Sequence, residues 1–138
     1  MLCQPRPDEV ASCDEVLELL GLAELADEPI ERLSLGQGRL VEVGRALMTD
    51  PKLLLLDEPS SGLDRAETAA LAQTLREVQA ERGFAILLVE HDVELVSSFT
   101  SRCYLLDFGR LIAEGPTPEL MASDEMRHAY LGDLEVSS

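Results

Sequence analysis

Apolar residues fall along this chain in blocks whose spacing alternates between helical and continuous. Val16, Leu17, Leu19 and Leu20 follow Ser12-Cys13-Asp14-Glu15, a serine with an acid three positions on. That spacing predicts a capping box and a short helix starting at Ser12. Gly21 suits the left-handed position that ends such a helix. Leu22 to Glu31 reads as an acidic connector. Leu40, Val43, Gly44 and Leu47 then recur at helical spacing, while Arg39, Glu42 and Arg45 face elsewhere. Asp50-Pro51 breaks that helix. Leu53-Leu54-Leu55-Leu56 is apolar throughout, the pattern of a strand buried on both faces of a parallel sheet. Asp64-Arg65-Ala66-Glu67 opens another capped helix, which Gly83 stops and whose inward stripe is Leu71, Leu75 and Val78. A second apolar strand runs from Phe84 to Val89, followed by a short helix from Val93 to Phe99. Arg102 to Leu106 predicts a third strand, and Asp107-Phe108-Gly109-Arg110 turns the chain back into Leu111-Ile112-Ala113 as a hairpin. Pro116 to Tyr130 reads as two helical pieces before a polar tail. Alternating strands and helices imply an α/β domain with a mostly parallel sheet flanked by helices.

Composition narrows the range of functions. The 138 residues are 46% apolar, enough for one core and too many for a disordered chain. Against 27 acids stand 11 Lys and Arg, a net charge of −16 that disfavours a nucleic-acid surface. No apolar run approaches the ~20 residues of a membrane span. The opening Met1-Leu2-Cys3-Gln4-Pro5-Arg6-Pro7 lacks the apolar core of a signal peptide. Cys3, Cys13 and Cys103 form no Cys-x-x-Cys pair and read as the reduced thiols of a cytosolic protein, with Cys103 in the core. The single lysine, Lys52, follows Pro51 with no glycine-rich turn before it.

Three places carry chemistry. Leu56-Asp57-Glu58-Pro59 sets two adjacent carboxylates at the carboxyl end of a buried parallel strand, where α/β sheets bind ligands. Such acids repel unless a cation lies near them. A nucleotide-bound Mg²⁺ would suit, one acid holding the metal and the other orienting a water; a solvated acidic turn is the plainer alternative. His91, in Val89-Glu90-His91-Asp92, ends the second strand, where parallel pairing would bring it beside Asp57 and Glu58 to donate to a γ-phosphate. His128, on a polar terminal helix, reads as an ordinary surface histidine. Leu33-Ser34-Leu35-Gly36-Gln37 precedes a helix. Ser34 offers a hydroxyl, Gly36 allows close backbone approach, and the helix start favours an anion. A simple N-cap would use the same residues.

Taken in order and spacing, Leu33-Ser34-Leu35-Gly36-Gln37, Leu53 to Pro59, Ser61-Gly62-Leu63-Asp64 and His91 resemble the ATP-binding-cassette (ABC) transporter ATPases. They match the signature, the Walker B strand with its glutamate, the D-loop and the H-loop histidine, with Leu35 where that family most often has Gly. The resemblance implies a P-loop NTPase-like fold and, as cofactors, ATP and Mg²⁺. In it Asp57 holds the metal through water, Glu58 activates the attacking water and His91 contacts the γ-phosphate. Ser34 and Gly36 reach ATP on the opposite subunit of a head-to-tail dimer, Asp64 couples the two sites, and Gln37 helps seat the signature helix.

A Walker A loop, Gly-x-x-x-x-Gly-Lys-Ser/Thr, and a Q-loop glutamine are also expected ahead of the signature, and these residues contain neither. The resemblance is therefore to the C-terminal part of a nucleotide-binding domain over 12–132, with 1–11 a flexible lead-in and 133–138 a tail. Glu90-His91-Asp92 and Ala129-Tyr130-Leu131-Gly132 resemble branched-chain amino-acid importers of bacteria. That implies permease partners in the membrane, no nucleic acid, and a cytoplasmic place on the inner face of the plasma membrane. Two alternatives stand beside it: an ATPase of the lipopolysaccharide-export type, and a non-catalytic truncated module docking on full-length ATPases. Chromosome-maintenance ATPases share the signature but flank it with coiled coils, and no sustained heptads occur here.

Overall fold

The computed structural model describes residues 7–131, and the chain divides after Glu90 into two compact units. The first contains α1 (Pro7–Leu19), α2 (Leu35–Leu47), β1 (Leu53–Asp57), α3 (Arg65–Arg82) and β2 (Ala85–Val89). The connector between α1 and α2 carries 3₁₀ turns at Ala23–Leu25 and Ile30–Arg32. The second unit contains α4 (Val93–Phe99), β3 (Arg102–Asp107), β4 (Arg110–Pro116), α5 (Thr117–Met121) and α6 (Asp124–Leu131).

Helix α1 starts at Pro7, ahead of the expected cap at Ser12 and within the span expected as a lead-in. Proline suits a first helical position, because its missing N–H would have no partner there and its φ is already set. Residues 1–6 and the expected tail, 133–138, lie outside the described residues. The helix ends as expected at Gly21, with φ +68°. Gly21 N–H donates to the Glu18 carbonyl at 3.0 Å and Leu22 N–H to that of Leu17 at 2.8 Å, the paired bonds of a Schellman end. Against α2, Val16 and Leu20 approach Gly44 so closely that a Cβ there would stand 2.9 Å from Leu20 Cδ1.

Strands β1 and β2 pair in parallel, from Leu53 opposite Ala85 to Asp57 opposite Val89, with α3 connecting them. The stripe of α3 is buried as expected at Leu71, Leu75 and Val78. The sheet departs from expectation. Leu54 is buried and Leu56, Ile86 and Leu88 are half-buried, but Leu53, Leu55, Leu87 and Val89 are 51–66% exposed. Side chains of a strand alternate between faces. Within this unit helices cover only one of them, so every second apolar residue meets solvent.

In the second unit β3 pairs antiparallel with β4 in a separate sheet, from Arg102 opposite Pro116 to Asp107 opposite Arg110. The predicted hairpin forms, and the third strand therefore does not extend the parallel pair. Phe108 (φ +43°) and Gly109 (φ +75°) both lie in the left-handed region, the requirement of a type I′ turn. A bulge between Leu105 and Leu106 leaves Ile112 as the extra residue. Cys103 belongs to the core with Leu105, Leu120 and Met126, and its Sγ lies 3.0 Å from Thr117 Oγ1. Among the described residues no helix is long and apolar enough to cross a membrane.

Candidate functional site

Two helix starts stand side by side in the first unit. Ser34 caps α2: its Oγ accepts from Gln37 N–H at 3.2 Å, and Gln37 Oε1 accepts from Ser34 N–H at 2.8 Å. Asp64 caps α3 in the same way, its carboxylate accepting from Glu67 N–H at 2.8 Å while Glu67 accepts from Asp64 N–H at 3.1 Å. Each such cap stabilises its helix by about 1 kcal/mol. A Cβ on Gly36 would meet Glu67 Cβ at 3.7 Å, and one on Gly62 would meet Leu35 Cδ2 at 3.0 Å. The expected Ser34, Gly36, Gln37 and Asp64 are thus brought to one place. Serine has one hydrogen to donate and two lone pairs. Capping uses Ser34 Oγ as an acceptor, so its own O–H remains able to donate to a ligand oxygen. The first N–H groups of α2 point out of the helix with no intrahelical acceptor.

Asp57 and Glu58 stand together at the carboxyl ends of the parallel strands, both exposed. Glu58 N–H donates to the Val89 carbonyl at 2.8 Å, extending the ladder one residue past β1. There the chain leaves extended geometry, since Glu58 has φ +45°. Pro59 and Ser60 are buried, and Glu90 Oε1 accepts from Ser60 N–H at 2.9 Å and from Ser60 Oγ at 2.6 Å. The Ser60–Glu90 contact is the feature that residue spacing did not reveal. Its signal was available in a second acid, Glu90, at the end of the neighbouring strand. His91 is exposed and opens the second unit directly after Glu90, ahead of Asp92, which caps α4. His128 is exposed on α6.

The Asp57 carboxylate is a hard oxygen group, and its chemistry fits holding a hydrated Mg²⁺ through water. Among the described residues no three His, Cys, Asp or Glu side chains are grouped to hold a metal. Between α2 and β1 lies a cavity of about 190 Å³, lined by Arg39, Glu42, Leu54 and Asp57 among others. Pockets for small ligands start at roughly 300 Å³, so this cavity does not by itself hold a nucleotide.

Known proteins resemble this chain in sequence and in fold. Residues 6–61 match the family model for ABC transporters. A phosphonates import ATP-binding protein of Nostoc sp. is 39% identical over 86% of this chain and 48% of its own length. A high-affinity branched-chain amino acid transport ATP-binding protein of Salmonella typhimurium is 36% identical over 85% of this chain and 46% of its own. Among solved structures, the ADP conformation of an ATP-binding cassette superposes with a TM-score of 0.86 at 30% identity, over 95% of this chain and 53% of the other. The structure of cbiO1 from Clostridium perfringens, part of the ABC transporter complex cbiONQ, superposes with a TM-score of 0.80 at 31% identity, covering 93% of this chain and 53% of the other. The chain spans about half the length of the curated relatives it matches. In sequence and in fold, this chain matches about half of the nucleotide-binding domain of ABC transporter ATPases.

Proposed function

We propose that this chain supplies the signature, Walker B, D-loop and H-loop portion, over 12–132, of an ATP-hydrolysing subunit that energises a bacterial importer of branched-chain amino acids. The observation that carries the reading is the Asp57-Glu58 pair at the carboxyl ends of two parallel strands, in one unit with the capped starts of α2 and α3. Relatives named for branched-chain amino acid transport and the Glu90-His91-Asp92 sequence support that substrate class. A phosphonate importer is the second reading, favoured by the 39% identical relative.

In this mechanism Mg²⁺, when bound with ATP, neutralises charge on the phosphates. Asp57 would hold that ion through water. Glu58 orients and deprotonates the attacking water, and His91 donates to the γ-phosphate. Ser34 O–H and the N–H groups at Gly36 serve the ATP of the opposite subunit in a head-to-tail dimer, Gln37 keeps Ser34 in place, and Asp64 couples the two sites. Permease subunits would convert closure into transport, with this subunit held at the cytoplasmic face of the membrane.

The test joins this chain to a half carrying Gly-x-x-x-x-Gly-Lys-Ser/Thr, while the 138 residues alone should release no phosphate from ATP. Ser34→Arg should leave nucleotide affinity unchanged and block the ATP-dependent dimer. Asp57→Asn should weaken the Mg²⁺ dependence. Loss of ATP binding by the Ser34→Arg monomer would contradict the assignment of α2. Phosphate release by the 138-residue chain, abolished in Glu58→Gln, would contradict the division of labour.

A further inference from the structure

We infer that Glu90 is a positioning residue, which locks the backbone of Glu58 in the conformation that presents its carboxylate. The inference rests on the reading of Glu58 given above. Glu58 is held at φ +45°, a region that costs a non-glycine residue about 1–2 kcal/mol. Such a conformation persists only where neighbouring contacts over-determine it. Its own carbonyl accepts from Ser61 N–H at 3.0 Å, and two further contacts bracket it. On one side the Glu58 N–H is tied to the Val89 carbonyl at 2.8 Å. On the other, Ser60 gives both its N–H and its hydroxyl to a single oxygen of Glu90, at 2.9 and 2.6 Å.

These bonds join the loops that follow the two parallel strands, so the Glu58-Pro59 segment is pinned at both ends to β2 and its continuation. Bonds to an ionised acceptor are roughly twice as strong as neutral ones. Ser60 is only 7% exposed, which keeps water from substituting for them. Pro59 adds stiffness through its fixed φ. Without Glu90, the Ser60 N–H and hydroxyl would lose this acceptor, and the Ser61–Glu58 and Leu63–Ser60 backbone bonds would hold the turn less tightly, so that Glu58 could relax and turn its carboxylate away.

Amide hydrogen exchange on the 138-residue chain tests the lock itself. In Glu90→Ala the Ser60 amide should exchange about tenfold faster or more, as expected for losing a charge-assisted bond. Amides of Leu55 and Leu56 should change less than about twofold, since the ladder remains. Glu90→Gln keeps an acceptor oxygen and should restore most of the protection, whereas Ser60→Ala should lose only the hydroxyl bond. Unchanged exchange at Ser60 in Glu90→Ala overturns the lock, and so does equal loss across β1, which would mark general unfolding.

The same variants in the domain joined to a Walker A half test the consequence. Glu90→Ala should lower kcat by up to about a hundredfold, the scale of a small misplacement of a reacting group. KM for ATP should stay within about twofold, and Glu90→Gln should recover most of the rate. If Glu58→Gln abolishes turnover and Glu90→Ala does not lower it, the positioning role is wrong and the role of Glu58 stands. If Glu58→Gln leaves turnover intact, the underlying reading fails, and the positioning role fails with it even where exchange at Ser60 responds.

Discussion

Two strands of this protein end alike and lead to opposite results. β1 ends at Asp57, followed by Glu58 with φ +45°; β3 ends at Asp107, followed by Phe108 with φ +43°. After Phe108 comes Gly109, also left-handed at φ +75°, and two such residues in succession make a type I′ turn that returns the chain antiparallel. After Glu58 comes Pro59, whose ring fixes φ near −65° and forbids that second left-handed residue. The chain cannot reverse there. It runs through Ser60 to Gly62 into α3 and comes back as a parallel neighbour. Parallel pairing then sets two loops and their acids, Glu58 and Glu90, at the same end of the sheet. The hairpin has no second loop at that end, and Asp107 faces only Arg110 across the turn. One residue after a shared device thus separates a structural corner from a candidate site.

The comparison is broken most severely at the acids themselves. In a domain joined to a Walker A half, Glu58→Gln should reduce turnover by about 10²- to 10⁴-fold while ATP binding persists, the range for loss of a general base. Asp107→Asn should leave turnover within about twofold, because that acid only flanks a turn. Steady-state phosphate release measures both, and equal losses would erase the distinction.

Packing gives the next contrast. Leu71→Ala in the buried stripe of α3, at 2% exposure, should destabilise the protein by about 2–5 kcal/mol. Leu111→Ala on the hairpin, at 54% exposure, should cost within about 0.5 kcal/mol. Urea unfolding followed by circular dichroism reads both values. The smallest effect lies at the turn: Phe108, 99% exposed, packs on nothing and holds a conformation that asparagine adopts readily. Phe108→Asn should raise stability by about 0.5–1 kcal/mol, the strain relieved by an Asn-Gly turn. A fall in the urea midpoint would show that Phe108 makes a stabilising contact.

Local chemistry made much of this molecule legible. The caps at Ser34 and Asp64, the stop at Gly83, the stripe of α3 and the Phe108-Gly109 turn all follow from residues within four positions of one another. The start of α1 is not legible in this way, because Ser12-Cys13-Asp14-Glu15 imitates a cap while Pro7 supplies an equally good first turn upstream.

Short-range chemistry thus sets most elements, the caps of α2 and α3 and the acids at Asp57 and Glu58, because hydrogen bonds to nearby N–H groups and backbone preferences act over short stretches of chain. It could not determine which faces of β1 and β2 are covered: a run of leucines is apolar on both sides, and burial depends on what packs against each. Nor could it determine that Ser60 is tied to Glu90, thirty positions away. That bond exists only because parallel pairing places Val89 opposite Asp57, and register is a property of the folded sheet.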